Sequence, residues 1–385
     1  MIKNQLTKIV HREFVCRLMP IFCMAVAVTV TLSACGTVAD LKDENKGIQL
    51  DALKVAPGFK VAVYATDLPK ARQMAMGARG TLFVGSNDGS VYALSTNGGA
   101  VTQKRTILKG IISPSGIAFF QGALYVSART KILRYDDIEN RLDSPPTPSI
   151  VIDGLPDKVR HGAHFMAFGP DGKLYVSVGS PCDLCEAQND EYGTIIRTNP
   201  DGTGKEIVAR GIRNSVGFDW HPQTRELWFS EQGQDNLGEA LPTDKLNRVS
   251  RMGENYGFPY CHDSGIPNPE FANKRACSEF TPPVFALGAH VSAIGTRFYV
   301  GDAVPSEYQG NIIVARHGSH PPSRVGYDVV RLVMKDNRVE RMEPFLSGFL
   351  QGRSYWGRPT DVLIMADGSI LISDDLNGAI YRVAR

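Results

Sequence analysis

Hydrophobic positions along most of this chain come in short runs separated by Gly or Asp-Gly turns, and the same arrangement recurs six times. The copies are MAMGARGTLFVGSNDGSVYAL (74–94), IAFFQGALYVSARTKILRY (117–135), MAFGPDGKLYVSVGS (166–180), GFDWHPQTRELWFSEQG (217–233), TRFYVGDAVPSEYQGNIIVARHG (296–318) and DVLIMADGSILISDDLNGAIYRV (361–383). Each reads as an apolar strand, a tight turn, a second strand of the LYVS type, another turn and a third strand. Period-two alternation with tight turns argues for antiparallel hairpins. Repeats at a spacing of about 40–50 residues, each too small to bury its own faces, mean a propeller or a solenoid. A closed ring leaves few exposed edges, so the pattern predicts an all-β fold, a six-bladed β-propeller of four-stranded antiparallel blades. FKVAVY, Phe59 to Tyr64, alternates like a strand but precedes the first full unit. It is predicted to pair with the last unit, closing the ring with strands from both chain ends. The intervals 181–210 and 234–290 are predicted to be insertions that rise over one face.

The first 34 residues follow a different pattern. Lys3, Lys8, Arg12 and Arg17 give a basic start, Leu18 to Leu32 is almost uncharged, and LSAC (Leu32 to Cys35) matches the cleavage pattern of bacterial lipoproteins. An export signal is expected over 1–34, with Cys35 as the lipidated new N-terminus. The alternative is a plain membrane anchor, against which the run is shorter than the ~20 residues a spanning helix needs. Either reading places the body of the protein outside the cytoplasm, at the periplasmic or outer-membrane face of the envelope. Gly36 after the cysteine is compatible with transfer to an outer membrane. The expected organisation is a signal peptide (1–34), a polar lipidated tether (35–52) and a propeller (53–385).

The whole chain of 385 residues has 42 basic and 40 acidic side chains. Without the signal, which holds four Lys/Arg and one Glu, 38 face 39 and the net charge is −1. No concentrated basic stripe appears, so nucleic acid is not an expected partner. Of seven cysteines, Cys16 and Cys23 fall in the signal and Cys35 at the lipid, leaving Cys182, Cys185, Cys261 and Cys277. In an oxidising compartment the local pairings Cys182–Cys185 and Cys261–Cys277 are expected. The rivals are a redox CxxC or zinc, for which Cys261 and Cys277 are too far apart to supply a second close pair.

Candidate chemistry concentrates between Gly211 and Glu239. Arg213 and Asn214 come just before an apolar strand, and Glu231, Gln232 and Gln234 come at or just after the end of the next one, LWFS. Polar groups at strand ends face a shared surface, where sites are usually built.

The motifs ARQMAMG, HGAHFMAFGPDGKLYVSVGSPC, GIRNSVGFDWHP with LWFSEQG, NYGFPYCH, ARHGS and GRPTDV, in this order from about Pro57 to Arg385, resemble the soluble sugar dehydrogenases that use pyrroloquinoline quinone (PQQ). The similarity is greatest to the glucose/sorbosone dehydrogenase branch. The resemblance implies a six-bladed propeller with the quinone beside a calcium ion on one face. It also implies oxidation of an aldose or related sugar by hydride transfer to the quinone, with electrons passed to a separate acceptor. His161, eight positions before Gly169 of the GPDG turn, matches the family's general base. Arg213 matches the arginine that stabilises charge developing on the quinone, with Asn214 its neighbour and Gln232 a site glutamine. The backbone carbonyls of Gly233 and Gln234 match the calcium ligands, and Asp244 matches an acid of the same loop.

The quinone's three carboxylates call for guanidinium groups. Arg316 stands where the family has a lysine, Arg358 matches a cofactor-binding arginine, and Arg72 and Gln73 match the pocket edge. His317, beside Arg316, is an alternative inward side chain, and His164 is read as a packing or rim residue. The chain departs from the family at Thr360, where a second arginine is expected, and at Lys245, where an acid is expected. His221 is read as a turn residue, and His290, His317 and His320 form no metal spacing. PDGTGK (200–205) is read as a hairpin turn rather than a phosphate loop. Two other readings are a calcium-dependent propeller lactonase and a non-catalytic envelope scaffold.

Overall fold

The computed structural model describes residues 47–97, 99–235, 237–263, 265–319 and 324–385; the expected signal, Cys16, Cys23 and Cys35 lie outside them. Apart from three short 3-10 turns, the described elements are strands, arranged as a six-bladed propeller. The innermost strands are Ala71–Met76, Ile117–Phe120, Met166–Phe168, Phe218–Trp220, Ala293–Tyr299 and Pro359–Ile364, in blades 1 to 6. Lys60–Ala65 pairs antiparallel with Ala379–Ala384, so the N-terminal strand becomes the outer strand of blade 6 and the ring closes as the alternation predicts. Ring closure is also stitched by side chains, since Thr360 Oγ1 donates to Ala71 O and Asp361 Oδ2 accepts from Met74 N.

The core is divided. Six hydrophobic clusters lie between neighbouring blades, for example Phe83 with Ile117 between blades 1 and 2 and Trp228 with Phe298 between blades 4 and 5. A blade buried on both faces needs apolar residues at successive positions, which explains why the second strands read LYVSV and ILISD with every residue buried. Inner strands approach closely near the axis: a Cβ on Gly217 would lie 2.0 Å from Ile294 O of the next blade.

One expectation needs correction. Thr194–Thr198 and Glu206–Arg210 are the third and fourth strands of blade 3, and Thr243–Val249 and Phe285–Ala289 those of blade 4. The excursions are therefore confined to about 181–193 and 250–284, the second returning Glu254–Asn255 to the edge of blade 3. Short strands such as TIIRT and EIVAR carry too few residues for a period to emerge. The PDGTGK turn joins them as a hairpin, with Asn199 N donating to Thr203 O. Both disulfides form as paired from the sequence, and each closes one of these excursions.

Candidate active site

All inner strands of a propeller run the same way, and each second strand runs back antiparallel. The start of every first strand and the end of every second strand therefore meet on one face. His161, Arg213, Asn214, Ser292 and Arg358 precede inner strands, and Ser180, Gln232, His317 and Asp375 follow second strands. Seen this way, the scattered motifs converge.

A continuous run of contacts links them. Gly179 lets His161 and Asn214 approach, since a Cβ there would stand 2.5 Å from His161 Cβ and 2.8 Å from Asn214 Oδ1. Asn214 Nδ2 donates to Gln232 Oε1 (2.7 Å), and Gln232 Nε2 donates to Ser292 Oγ (2.6 Å). Ser292 O accepts from His317 N (2.9 Å), and His317 Nδ1 accepts from Arg358 Nη2 (2.9 Å). His317 Nε2 then donates to Asp375 Oδ1 (3.0 Å), whose Oδ2 accepts from Arg72 Nη1 (2.9 Å). The arc crosses blades 3, 4, 5, 6 and 1.

At one end His161 has a φ of 54°, a left-handed conformation that costs a non-glycine residue on the order of 1 kcal/mol. Its Nδ1 lies 2.9 Å from Ser180 O, so Nδ1 carries the hydrogen and Nε2 keeps its lone pair. Burial, then the charge of Arg213, lowers its pKa to about 4, leaving the ring neutral at neutral pH. Arg213 is buried. Its Nε donates to Asp183 O (3.1 Å) and its Nη2 to Asp183 Oδ1 (2.5 Å) and Asp235 Oδ2 (3.2 Å). Burial would raise the Asp183 carboxyl, but the hydrogen bond and charge of Arg213 outweigh it and hold the group below the usual range. Arg213 Nη1 has no hydrogen-bond partner among the described residues, nor does Asn214 Oδ1, a buried acceptor.

At the other end Arg358 is held by His317 and by carbonyls, with Nε to His317 O (3.3 Å) and Nη2 to Gly318 O (3.2 Å). Burial lowers the His317 pKa to about 4 against the pull of Asp375, so a neutral imidazole bridges Asp375 and Arg358.

Two expected cofactor contacts are placed otherwise. Arg316 forks onto Asp328 of the next strand, Nε to Oδ1 (2.7 Å) and Nη2 to Oδ2 (2.5 Å), and its Nη1 reaches Leu287 O (3.1 Å). It is His317, the adjacent position, that joins the arc. Gln73 is buried and has both ends of its amide on backbone: Nε2 to Met166 O (2.6 Å), Oε1 from Met166 N and Ile117 N (3.2 Å each). It staples blades 2 and 3. His164 likewise has both ring nitrogens on carbonyls, those of Ser177 and Arg129.

Around the expected calcium ligands, Asp244 accepts from Gly233 N (3.0 Å) and Ala293 N (2.7 Å), and burial raises its pKa to about 6. The Gly233 and Gln234 carbonyls accept no hydrogen bond among the described residues, while the Gln234 side chain is turned inward to Asn268. Lys245 faces Glu231 at 3.4 Å, both buried, so its charge is balanced inside blade 4. No cluster of three or more His, Cys, Asp or Glu able to hold a metal occurs among the described residues. Sequence reasoning missed Ser180, Asp183, Ser292 and Asp375. Asp375 stands after LISD as Gln232 stands after LWFSE, a parallel visible in the repeats. Asp183 offered no signal beyond its place between two cysteines.

The family model described as Glucose / Sorbosone dehydrogenase matches residues 149–382. An uncharacterized protein of Borreliella burgdorferi is 34% identical over 347 residues, covering 86% of this chain and 90% of the relative. A pyrroloquinoline quinone-dependent sugar dehydrogenase of Hypocrea jecorina is 25% identical over 332 residues, covering 71% and 77%. Among solved structures, the calcium structure of a Trichoderma reesei enzyme of Carbohydrate-Active Enzymes Family AA12 superposes with a TM-score of 0.78 at 18% identity, covering 89% of this chain and 99% of that one.

Proposed function

Because this chain belongs to the Glucose / Sorbosone dehydrogenase family, we propose that it is a PQQ-dependent oxidoreductase that oxidises an aldose or related sugar with the help of calcium. The observation that carries this reading is the single arc joining a neutral imidazole to two partly engaged guanidinium groups, one buried (Arg213) and one half-buried (Arg358).

The donor set fits the quinone. Along the arc Arg72, Arg160, Arg213 and Arg358 face Asp183, Asp235 and Asp375, a surplus of one positive charge. A divalent cation beside Asp244 adds two positive charges and the Asp244 carboxylate takes one away, leaving a surplus of two toward the carboxylates of the quinone. On this reading Arg213, Asn214, Gln232 and Arg358 hold the cofactor, and the Gly233 and Gln234 carbonyls supply hard oxygen donors to calcium. The bound quinone supplies the two-electron acceptor.

The protein's own groups do the rest. His161 Nε2 takes the sugar hydroxyl proton, its tautomer imposed by the Ser180 carbonyl. Arg213 presents its Nη1 edge while Asp183 and Asp235 hold the other side, a donor oriented before charge develops. The backbone of Gly233 is anchored by Asp244. We further propose that the protein is exported, lipid-anchored through Cys35 at the cell envelope, and passes electrons to a separate carrier.

The test adds PQQ and calcium to purified apo-protein and follows spectral titration and sugar-dependent reduction of a dye. Calcium-dependent binding with dye reduction is expected. Lactone hydrolysis without quinone, or no quinone binding together with no dye reduction across an aldose panel, overturns the proposal.

A further inference from the structure

The segment Ser180–Cys185 touches both His161 and Arg213, the imidazole and the guanidinium at one end of the arc. Ser180 O fixes His161 Nδ1 at 2.9 Å, and Asp183, the residue after Cys182, grips Arg213 through its backbone carbonyl (3.1 Å) and its carboxylate (2.5 Å). Ser180 is itself held between Cys182 O, to which its Oγ donates (2.8 Å), and Arg213 O, to which its N donates (2.8 Å). The Cys182–Cys185 bond closes the loop that carries Asp183. Arg160 and the Asp235 backbone converge on the same Asp183 Oδ1 at 3.4 and 3.2 Å.

A strand end alone would not hold this arrangement. Asp183 sits in an irregular excursion beyond Val178, where no sheet ladder fixes the backbone. The outer side of the loop borders a cavity of about 190 Å³ lined by Ser180, Cys185, Glu186, Tyr192 and Tyr260. The loop therefore faces that cavity at Ser180 and Cys185, and a short covalent ring adds to the hydrogen bonds that limit its conformations.

We propose that the Cys182–Cys185 ring is a clamp that positions His161 and Arg213 together, with Asp183 as the positioning residue for Arg213. This rests on the proposed reaction for its kinetic consequence, but not for its structural one. Asp183 touches neither sugar nor quinone in this scheme. It acts by keeping the Nη1 edge of Arg213 aimed, and a misplacement of about 1 Å in such a group costs on the order of 100-fold in rate.

The experiment compares the full chain with Asp183→Ala, Asp183→Asn, a Cys182→Ser/Cys185→Ser double variant and, as a control, Glu186→Gln, whose carboxylate points outward to Tyr260 and Lys274. One readout needs no cofactor: the ring ¹⁵N shifts of His161 in apo-protein, assigned by their loss in His161→Gln. The double variant is expected to move His161 from the Nδ1–H form toward the Nε2–H form of an unconstrained imidazole. The second readout uses protein loaded with PQQ and calcium. Asp183→Ala is expected to lower kcat by about 10- to 100-fold with KM for sugar within about twofold, Asp183→Asn to recover most of it because its amide oxygen still accepts from Arg213, and Glu186→Gln to match the unsubstituted protein. Unchanged His161 shifts in the double variant, or an unchanged kcat in Asp183→Ala, overturn the clamp. If the loaded protein shows no turnover at all, the proposed function fails while the nitrogen shifts still decide the clamp.

Discussion

Three residues apart, His161 and His164 are used in different ways, and the contrast separates two layers of the same face. In the outer layer His161, Arg213, Asn214 and Arg358 each keep an atom without a hydrogen bond among the described residues. In the layer beneath, His164, Gln73 and Thr360 hand their polar atoms to the backbone or hydroxyls of their own and neighbouring blades. Residue type does not distinguish the layers. What distinguishes them is whether such partners reach every polar atom of the side chain or leave one over, because a buried polar atom takes whatever partner is nearest. The lower layer holds blades together, and the upper one is left with valences for a ligand.

Substitutions can break that comparison. The largest effect is expected at His161: His161→Gln should reduce kcat by about 10²–10⁴-fold while unfolding free energy stays within about 1 kcal/mol, as steady-state rates and denaturant melts would reveal. Equal loss of stability would place His161 in the lower layer. Gln73→Leu should behave oppositely. It strands the Met166 carbonyl and the Ile117 and Met166 amides in the interior, costing about 3 kcal/mol of stability, with quinone affinity in the surviving folded protein nearly unchanged. A quinone-binding defect larger than the stability loss would return Gln73 to the cofactor site. Next, Arg358→Met should weaken quinone binding by about 10- to 50-fold, the scale of one or two charged hydrogen bonds. Arg316→Met, whose fork is already filled by Asp328, should change it by less than about twofold and lower stability instead.

The smallest effect is a pH dependence of the apo-protein. His161, His262 and His317 have pKa values lowered to about 4, in each case chiefly by burial. Below about 6.5 the unfolded chain takes up protons that the folded chain refuses, so stability is lost as pH falls from about 6.5 toward 4. Asp244, raised to about 6 by burial, works in the opposite sense, because the folded chain binds its proton first, and so do Asp219, Asp361 and Asp374, whose carboxyls burial also pushes up. The histidine share is about 1–2 kcal/mol per group at pH 5, measurable as the part of the Tm change between pH 7 and 5 that His262→Gln removes. A Tm change between pH 7 and 5 that His262→Gln leaves as it was contradicts the assigned neutral histidine.

The six-bladed ring, its closure by Lys60–Ala65 and both disulfide pairings were legible in the chain. So were the segments that contribute to the face, because turns, alternation and cysteine spacing are local properties that survive without knowledge of neighbours. The positions of the third and fourth strands in blades 3 and 4 were not, since short strands such as Thr194–Thr198 and Glu206–Arg210, flanked by excursions, carry too little periodicity to register. Tertiary structure alone decided which polar side chain of each strand end keeps a free valence on the face and which is consumed between blades. Arg316 and His317 are adjacent in sequence and differ only in what the next strand offers, a carboxylate for the one and an open face with Arg358 and Asp375 for the other. Partners for a buried polar atom come from residues distant in the chain, as Gln73 and Met166 illustrate, and no pattern along one strand encodes them.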